Sequence, residues 1–153
     1  MPTVQDILEK KGGRVVSIGG DATVLDAAQL MNDNRIGALV VSQGDKVVGI
    51  FTERDILCRI VAAQRDPATT KVRDVMTAPV ACCLPETTRA ECAAVMRHRR
   101  IRHLPVVKED RLLGIVSIGD ISADTEAEQR ETIRYLHEYL YGGWAARGVT
   151  PVP

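Results

Sequence analysis

The chain has 153 residues, twenty of them basic and twenty acidic, so its formal net charge is zero. That balance removes the usual electrostatic case for binding nucleic acid or an anionic membrane, and an aromatic content of 3% leaves little with which to stack single-stranded bases. No apolar run approaches the roughly 20 residues of a membrane span, and Met1-Pro2-Thr3-Val4-Gln5-Asp6 lacks the basic-then-apolar order of a signal peptide, so the expected location is the cytoplasm.

In chain order, residues 4–8 read as a short helical lead-in and 14–18 as a β-branched strand. Thr23, with Asp26 three positions on, opens a helix whose apolar stripe is Val24, Ala27, Ala28 and Met31. Two apolar runs, 38–42 and 46–52, flank Gln43-Gly44-Asp45, a hairpin signal. A helix is expected from 53 to about 64, then a linker over 65–71 that holds Asp66-Pro67 and paired threonines. A second lead-in follows at 72–76. From Val80 the pattern of strand, helix, strand, strand, helix starts again, with Thr88 and Glu91 as a capping box and Lys108-Glu109-Asp110 at the hairpin turn. Residues 122–141 are acidic and then amphipathic, with Ile133, Leu136 and Leu140 on one stripe and Tyr135 and Tyr139 spaced four apart. They predict a C-terminal helix that ends at Gly142-Gly143, before a frayed tail.

The repetition is literal. Arg35-Ile36-Gly37-Ala38-Leu39-Val40-Val41 recurs as Arg100-Ile101-Arg102-His103-Leu104-Pro105-Val106, and Gly49-Ile50-Phe51-Thr52-Glu53-Arg54-Asp55-Ile56 as Gly114-Ile115-Val116-Ser117-Ile118-Gly119-Asp120-Ile121. The offset is 65 throughout, and aligning 15–56 with 80–121 gives 13 identities in 42 positions. A fixed period over a whole supersecondary unit means two copies of one fold. The expected class is α/β (α+β): two pseudo-symmetric β-α-β-β-α units packed sheet to sheet, plus a C-terminal helix. Their bounds are 1–64 and 72–125 around the linker 65–71, with the helix at 126–142 and the tail at 143–153.

Cys58, Cys82, Cys83 and Cys92 form neither a C-x-x-C pair nor a His-spaced cluster, so no zinc or thioredoxin-like site is expected. All four read as small, buried, reduced side chains.

The Gly-hydrophobic-x-Thr/Ser-x-x-Asp motif after each third strand, the His103-Leu104-Pro105-Val106 opening and the Val72-Arg73-Asp74-Val75-Met76-Thr77 lead-in together resemble a tandem pair of CBS domains, a Bateman module. The resemblance covers about residues 4–141, and short stand-alone bacterial CBS-pair proteins are especially similar. It implies two clefts between the copies that take adenosyl ligands: AMP, ADP, ATP, S-adenosylmethionine, or NAD and NADH. Each cleft would draw its ribose-binding Asp from one copy and its adenine wall from the other. It also implies a homodimer and a regulatory rather than catalytic role, with an unknown protein partner reading the bound state.

The residues suit such a ligand. Asp55 and Asp120 fall in the first turn of a helix, where a carboxylate can accept from both hydroxyls of a ribose. Thr52 and Ser117, three residues earlier, sit where free backbone N–H groups favour phosphate. Simple N-capping explains the same residues, and both roles can coexist. Gly49 and Gly114 would let a ligand or backbone approach closely. In the cluster Arg97-His98-Arg99-Arg100-Ile101-Arg102-His103, the first three read as solvated cations at a helix end. Arg102 and His103 fall where the family places phosphate-binding residues.

The first expected site joins Thr52, Arg54 and Asp55 with Val80, Arg102, His103, Leu104 and Pro105. The second joins Ser117, Ile118, Gly119 and Asp120 with Val16, Ser17, Ala38 and Leu39. It carries less charge unless Arg59 or another distant cation reaches in, and Ser122, Ala123 and Asp124 stand where many relatives have a basic residue. No nucleophile, base or metal constellation around His98, His103 and His137 suggests an enzyme. The alternative is a scaffold protein that uses the C-terminal helix, with Tyr135, Tyr139 and Trp144, as a partner face.

Overall fold

The computed structural model describes residues 1–12 and 15–145, with side chains through 140. The helices are α1 (Val4–Lys11), α2 (Val24–Asn34), α3 (Glu53–Asp55), α4 (Val72–Val75), α5 (Arg89–Arg99) and α6 (Ile118–Ala145). The strands are β1 (Ser17–Gly19), β2 (Ala38–Gln43), β3 (Lys46–Thr52), β4 (His103–Lys108) and β5 (Arg111–Ser117). Two copies of one mixed helix-and-strand unit are thus present, as the repeat requires.

In the first copy β1 runs parallel to β2, and β2 antiparallel to β3. In the second, β4 and β5 pair antiparallel. Both hairpins carry a bulge at the same place, between Val41 and Ser42 and between Val106 and Val107. Gly44, at φ 62°, turns the first hairpin, while Glu109 and Asp110, at φ 50° and 62°, turn the second. Two positive φ values in a two-residue loop match the right-handed twist of the strands it joins.

The strand expected from Val80 is reduced to one parallel bridge, Cys83 to Val106, with Cys83 N–H donating to the Pro105 carbonyl at 2.9 Å and Val107 N–H to the Cys83 carbonyl at 3.0 Å. Proline stops it on both sides. Extending the ladder one way needs a Pro105 N–H for the Ala81 carbonyl, and the other way a Pro85 N–H for Val107, and proline has neither. The expectation at 14–18 is also shifted: β1 begins at Ser17, and Arg14 lies outside the described residues.

The cores show an exchange of lead-in helices. Val4 and Ile7 of α1 are buried with Cys83, Cys92, Met96, Leu104, Val106, Val116 and Ile121 of the second copy. Val72 and Val75 of α4 are buried with Val24, Ala27, Met31, Leu39, Val41, Phe51 and Ile60 of the first. The glycines explain the fit. A Cβ on Gly114 would stand 2.7 Å from Leu8 Cδ2, and one on Gly49 would collide with the Met76 thioether. Gly49 and Gly114 therefore allow the close approach expected of them, but what approaches is a lead-in side chain and not a ligand or backbone.

Three helical details depart from expectation. After α3 the chain continues as a π-helix, Ile56–Val61, whose five-residue bonds include Ala62 N–H to the Leu57 carbonyl at 2.9 Å. Helices α2 and α5 both end on a left-handed arginine, Arg35 at φ 53° and Arg100 at φ 55°. The C-terminal helix does not start at 126: α6 runs unbroken from Ile118 through Gly142 and Gly143 to Ala145. Nothing breaks it near Thr125, whose hydroxyl donates back to the Ile121 carbonyl at 2.9 Å. Each glycine costs an interior turn only about 1 kcal/mol. The expected tail lies outside the described residues from 146 on. None of the described helices is long and apolar enough to cross a membrane.

Candidate functional site between the two copies

The strand β3 ends by turning into α3 through a reciprocal cap. Asp55 Oδ2 accepts from the Thr52 backbone N–H at 3.0 Å and from its hydroxyl at 3.2 Å, while Thr52 Oγ1 accepts from the Asp55 N–H. Asp55 Oδ1 accepts from the Thr77 hydroxyl at 3.0 Å. Thr77 is held there by a bridge to Ile50, with paired backbone bonds of 2.8 and 3.0 Å. Capping and a poised carboxylate coexist in one residue, which is only 5% exposed.

Beside Asp55 opens a cavity of about 630 Å³ between the copies. Thr52, Arg54 and Asp55 line it from the first copy, and Val80, Arg102 and His103 from the second. Leu104 and Pro105 do not line it. Successive strand residues face opposite ways, so Leu104 points into the second core, where it is 1% exposed. Pro105 is buried one pair further along β4, opposite Ile115.

Several lining residues were not anticipated. Pro79, Ala81 and Ile101 join Ile50 and Val80 as apolar wall. Arg99 and Arg100, read as solvated or unassigned, line the cavity as well. Cys58 and Arg59, three and four residues past Asp55 on the π-helix, line it too, so Arg59 belongs to this site and not to the second. Its guanidinium donates to the Val75 and Met76 carbonyls at 2.9 and 2.7 Å, and its Nε lies 3.7 Å from Asp55 Oδ1. Arg54 reaches across to the Arg100 carbonyl at 3.4 Å. Five arginines therefore surround two carboxylates, Glu53 and Asp55, in a chain with no net charge. Burial first, and then Lys11 and Arg102, push the His103 imidazole below its ordinary pKa, against the pull of Asp120 and Glu53.

The second expected site is not gathered in the same way. Ser117 and Asp120 repeat the reciprocal cap, at 2.8 and 3.1 Å. Asp120 Oδ2, however, also accepts from Lys11 Nζ at 2.9 Å, and Lys11 donates to the Ile115 carbonyl at 3.1 Å. Burial works against the charge of Asp120, but Lys11 and the Ser117 N–H outweigh it and hold the carboxyl below its usual range. Leu39 is fully buried opposite Phe51, and Ala38 pairs with Thr52. Val16 packs against the first core. Ser17 lines a separate hollow of about 340 Å³ with Ser42, Asp45 and Arg111. Ile118 and Gly119 open α6, and neither lines either hollow. Asp124 is no gap in a phosphate site: it is a buried anchor for Lys10 at 2.9 Å and Arg89 at 2.8 Å.

The thiols divide two and two. Cys83 and Cys92 are buried, whereas Cys58 and Cys82 are exposed, which corrects the expectation that all four are interior. Contact with Cys92, together with burial, pushes the Cys83 thiol up. Among the described residues no three His, Cys, Asp or Glu side chains cluster as a metal site would require.

Comparison with known proteins agrees with this architecture. The CBS domain family model matches residues 4–62 and 72–123. The mitochondrial CBS domain-containing protein CBSX3 of Arabidopsis thaliana is 36% identical over 151 residues, covering 93% of this chain and 73% of that protein. A CBS-domain protein from Burkholderia ambifaria MC40-6, described as acting in signal transduction, superposes with a TM-score of 0.79 at 38% identity, over 83% of this chain and 96% of that one. A hexameric CBS-CP12 protein from bloom-forming cyanobacteria gives a TM-score of 0.71 at 31% identity, over 91% and 88% of the two chains. The chain belongs to the CBS-domain family, as a tandem pair of two CBS domains.

Proposed function

We propose that this chain is a regulatory module that senses adenine nucleotides, without itself being an enzyme, and that it takes the ligand in the cavity beside Asp55. The observation that carries the reading is the ring of five arginines around one buried, twice-capped aspartate in an otherwise neutral chain. Asp55, with Thr52 and Thr77, offers acceptors and hydroxyls for a cis-diol. Ile50, Val80, Ala81 and Ile101 offer an apolar wall for a flat base. Arg54, Arg99, Arg100 and Arg102 favour a ligand with two or more phosphates, ADP, ATP or NAD(H), over AMP or S-adenosylmethionine. About 630 Å³ falls within the range of small-molecule sites. The reading puts the protein in the cytoplasm.

A thermal-shift panel of AMP, ADP, ATP, NAD, NADH and S-adenosylmethionine tests this. A ligand at a hundredfold excess over its Kd stabilises the native state by about 2.7 kcal/mol, so a rise of several degrees is expected for the polyphosphates. No shift with any of the six would sink the nucleotide reading.

One observation favours a second role as an assembly scaffold. Ile133, Tyr135, Leu136, Tyr139 and Leu140 of α6 are all exposed, from 48% to 77%. The hexameric state of the CBS-CP12 relative supports self-association, which we read here as at least a homodimer. Sedimentation with and without ATP would separate a constitutive assembly from a ligand-set one.

A further inference from the structure

Resting on the nucleotide reading of Asp55 and its repeat, we propose that Lys11 is a tethered cation that keeps Asp120 closed to ligand, so that one chain takes one nucleotide until α1 lifts off β5. The two aspartates are equivalent in the repeat and in their caps, yet their cations are not. Arg59 borders Asp55 at 3.7 Å through Nε, while one terminal nitrogen of its guanidinium donates to two carbonyls. Lys11 donates directly to Asp120 at 2.9 Å, on the same Oδ2 that takes the Ser117 N–H. The ammonium occupies the carboxylate face that a ribose hydroxyl would need, and a second of its three N–H groups is anchored on the Ile115 carbonyl, which holds it there.

The lysine is aimed by the fold. It lies on the last turn of α1, whose Leu8 fills the space left by Gly114. The preceding Lys10 is fixed on Asp124, one helical turn along α6 from Asp120. Two adjacent lysines thus grip two carboxylates on the same face of α6, and Arg89 holds the second from α5. Among the described residues the first copy shows no such pair: the lead-in packed on it, α4, is followed by Met76-Thr77, and Thr77 offers Asp55 a hydroxyl, not a charge. Lys11 keeps 38% of its side chain exposed, so the contact is a reversible latch. A second nucleotide would enter by displacing it, and occupancy there would be coupled to the seating of α1.

Isothermal titration of the full chain with ATP, and separately with AMP, tests the latch. Wild type should show one binding event, weakened tenfold or more in Asp55→Asn. Lys11→Met, which keeps the stem and drops the charge, should add a second event at least tenfold tighter than any weak residual binding, and Lys11→Met with Asp120→Asn should lose it again. Lys11→Ala is the second variant, in case the Met stem itself fills the space. The proposal is overturned if both variants melt like wild type and gain no event, or if wild type already shows a second event that Asp120→Asn removes. Should wild type bind nothing while Lys11→Met gains an event that Asp120→Asn removes, the latch stands and the reading of the first cavity fails.

Discussion

Lys11 Nζ stands 2.9 Å from Asp120, while Arg59 Nε comes only to 3.7 Å of the matching carboxylate, Asp55. One aspartate of the repeat is thus neutralised by its own chain, and the other faces a cavity rich in arginine. The difference originates in the lead-in helices. Sequence before the first copy packs on the second, so the cation at the second site comes from more than 100 positions away. Two related motifs acquire unequal sites because the lead-in helices packed on them end differently, α1 in Lys10-Lys11 and α4 before Met76-Thr77.

Asp55→Asn is the informative change at the first site. The amide keeps the shape and can still accept from the Thr52 N–H, but it loses the charge and one strong acceptor. Nucleotide affinity should fall tenfold or more, about 1.4 kcal/mol, with a stability loss near 1 kcal/mol from the weakened cap. Titration calorimetry beside a urea melt checks both. Asp55→Ala is the poorer probe, since it strips Thr52 and Thr77 of their buried partner and confuses folding with binding.

His103 should link binding to protons. Burial, Lys11 and Arg102 lower its pKa in the free protein, which favours the neutral ring. A phosphate beside it favours the charged ring, so binding takes up a proton, and ATP affinity should rise as pH falls from about 7 towards 5.5. The terminal phosphate itself titrates near pH 6, but that term is common to wild type and His103→Gln, so their difference isolates the imidazole. Calorimetry in two buffers of different ionisation enthalpy measures the uptake. Equal uptake by both proteins would remove His103 from the phosphate site.

How far the sequence could be read depended on whether a feature recurred at the period. Asp55, Thr52 and the two hairpins were legible because residue type and spacing repeat, and Arg102 because it stands in a basic cluster where the first copy has Gly37. Thr77 stands in plain view at the end of the second lead-in, but its bond to Asp55 depends on the bridge to Ile50, which has no local signal. Cys58 and Arg59 lie three and four positions past Asp55, a helical spacing that puts them on its face, so their place at the cavity carried a local signal that was missed. Leu104 cannot share a wall with His103, because the pleat sends neighbouring strand residues to opposite faces, and a run of four successive residues is therefore never one wall. Lys11 was invisible because its partner is set by tertiary packing alone.

The Lys10–Asp124–Arg89 cluster predicts an acid-sensitive fold. Lys10 first, and Arg89 next, hold the Asp124 carboxyl below its ordinary value, and Asp120 is lowered as well. Carboxylates with a depressed folded pKa contribute stability above the unfolded value, near 3.9, and lose it as pH falls through the folded value. The Tm of wild type should therefore drop steeply below about pH 4. Asp124→Asn should lower Tm at pH 7 by about 2–4 °C and flatten that acid limb. Parallel curves for the two proteins would show that the pairs contribute nothing to the native state.

Gly114→Val tests whether α1 is seated by shape. The new side chain would enter the volume of Leu8, whose Cδ atoms lie 2.7 and 3.0 Å from the point a Cβ would occupy. Overpacking costs typically about 1–3 kcal/mol, offset in part by the better strand propensity of valine, so a net loss of about 1–2 kcal/mol is expected. Leu8→Ala should relieve it, giving a coupling of about 1 kcal/mol in the double-mutant cycle. Gly49→Ala in the first copy should cost less, because the unbranched Met76 thioether can move aside where a branched leucine cannot. The sharper consequence concerns Lys11. If Leu8 positions α1, Gly114→Val should loosen the Lys11 contact to Asp120, visible as faster acetylation of Lys11 relative to Lys46. Unchanged labelling with an unchanged melt would mean that α1 is held without Leu8, by buried Val4 and Ile7, by Lys10 on Asp124 and by its backbone bonds to Pro85 and Thr87.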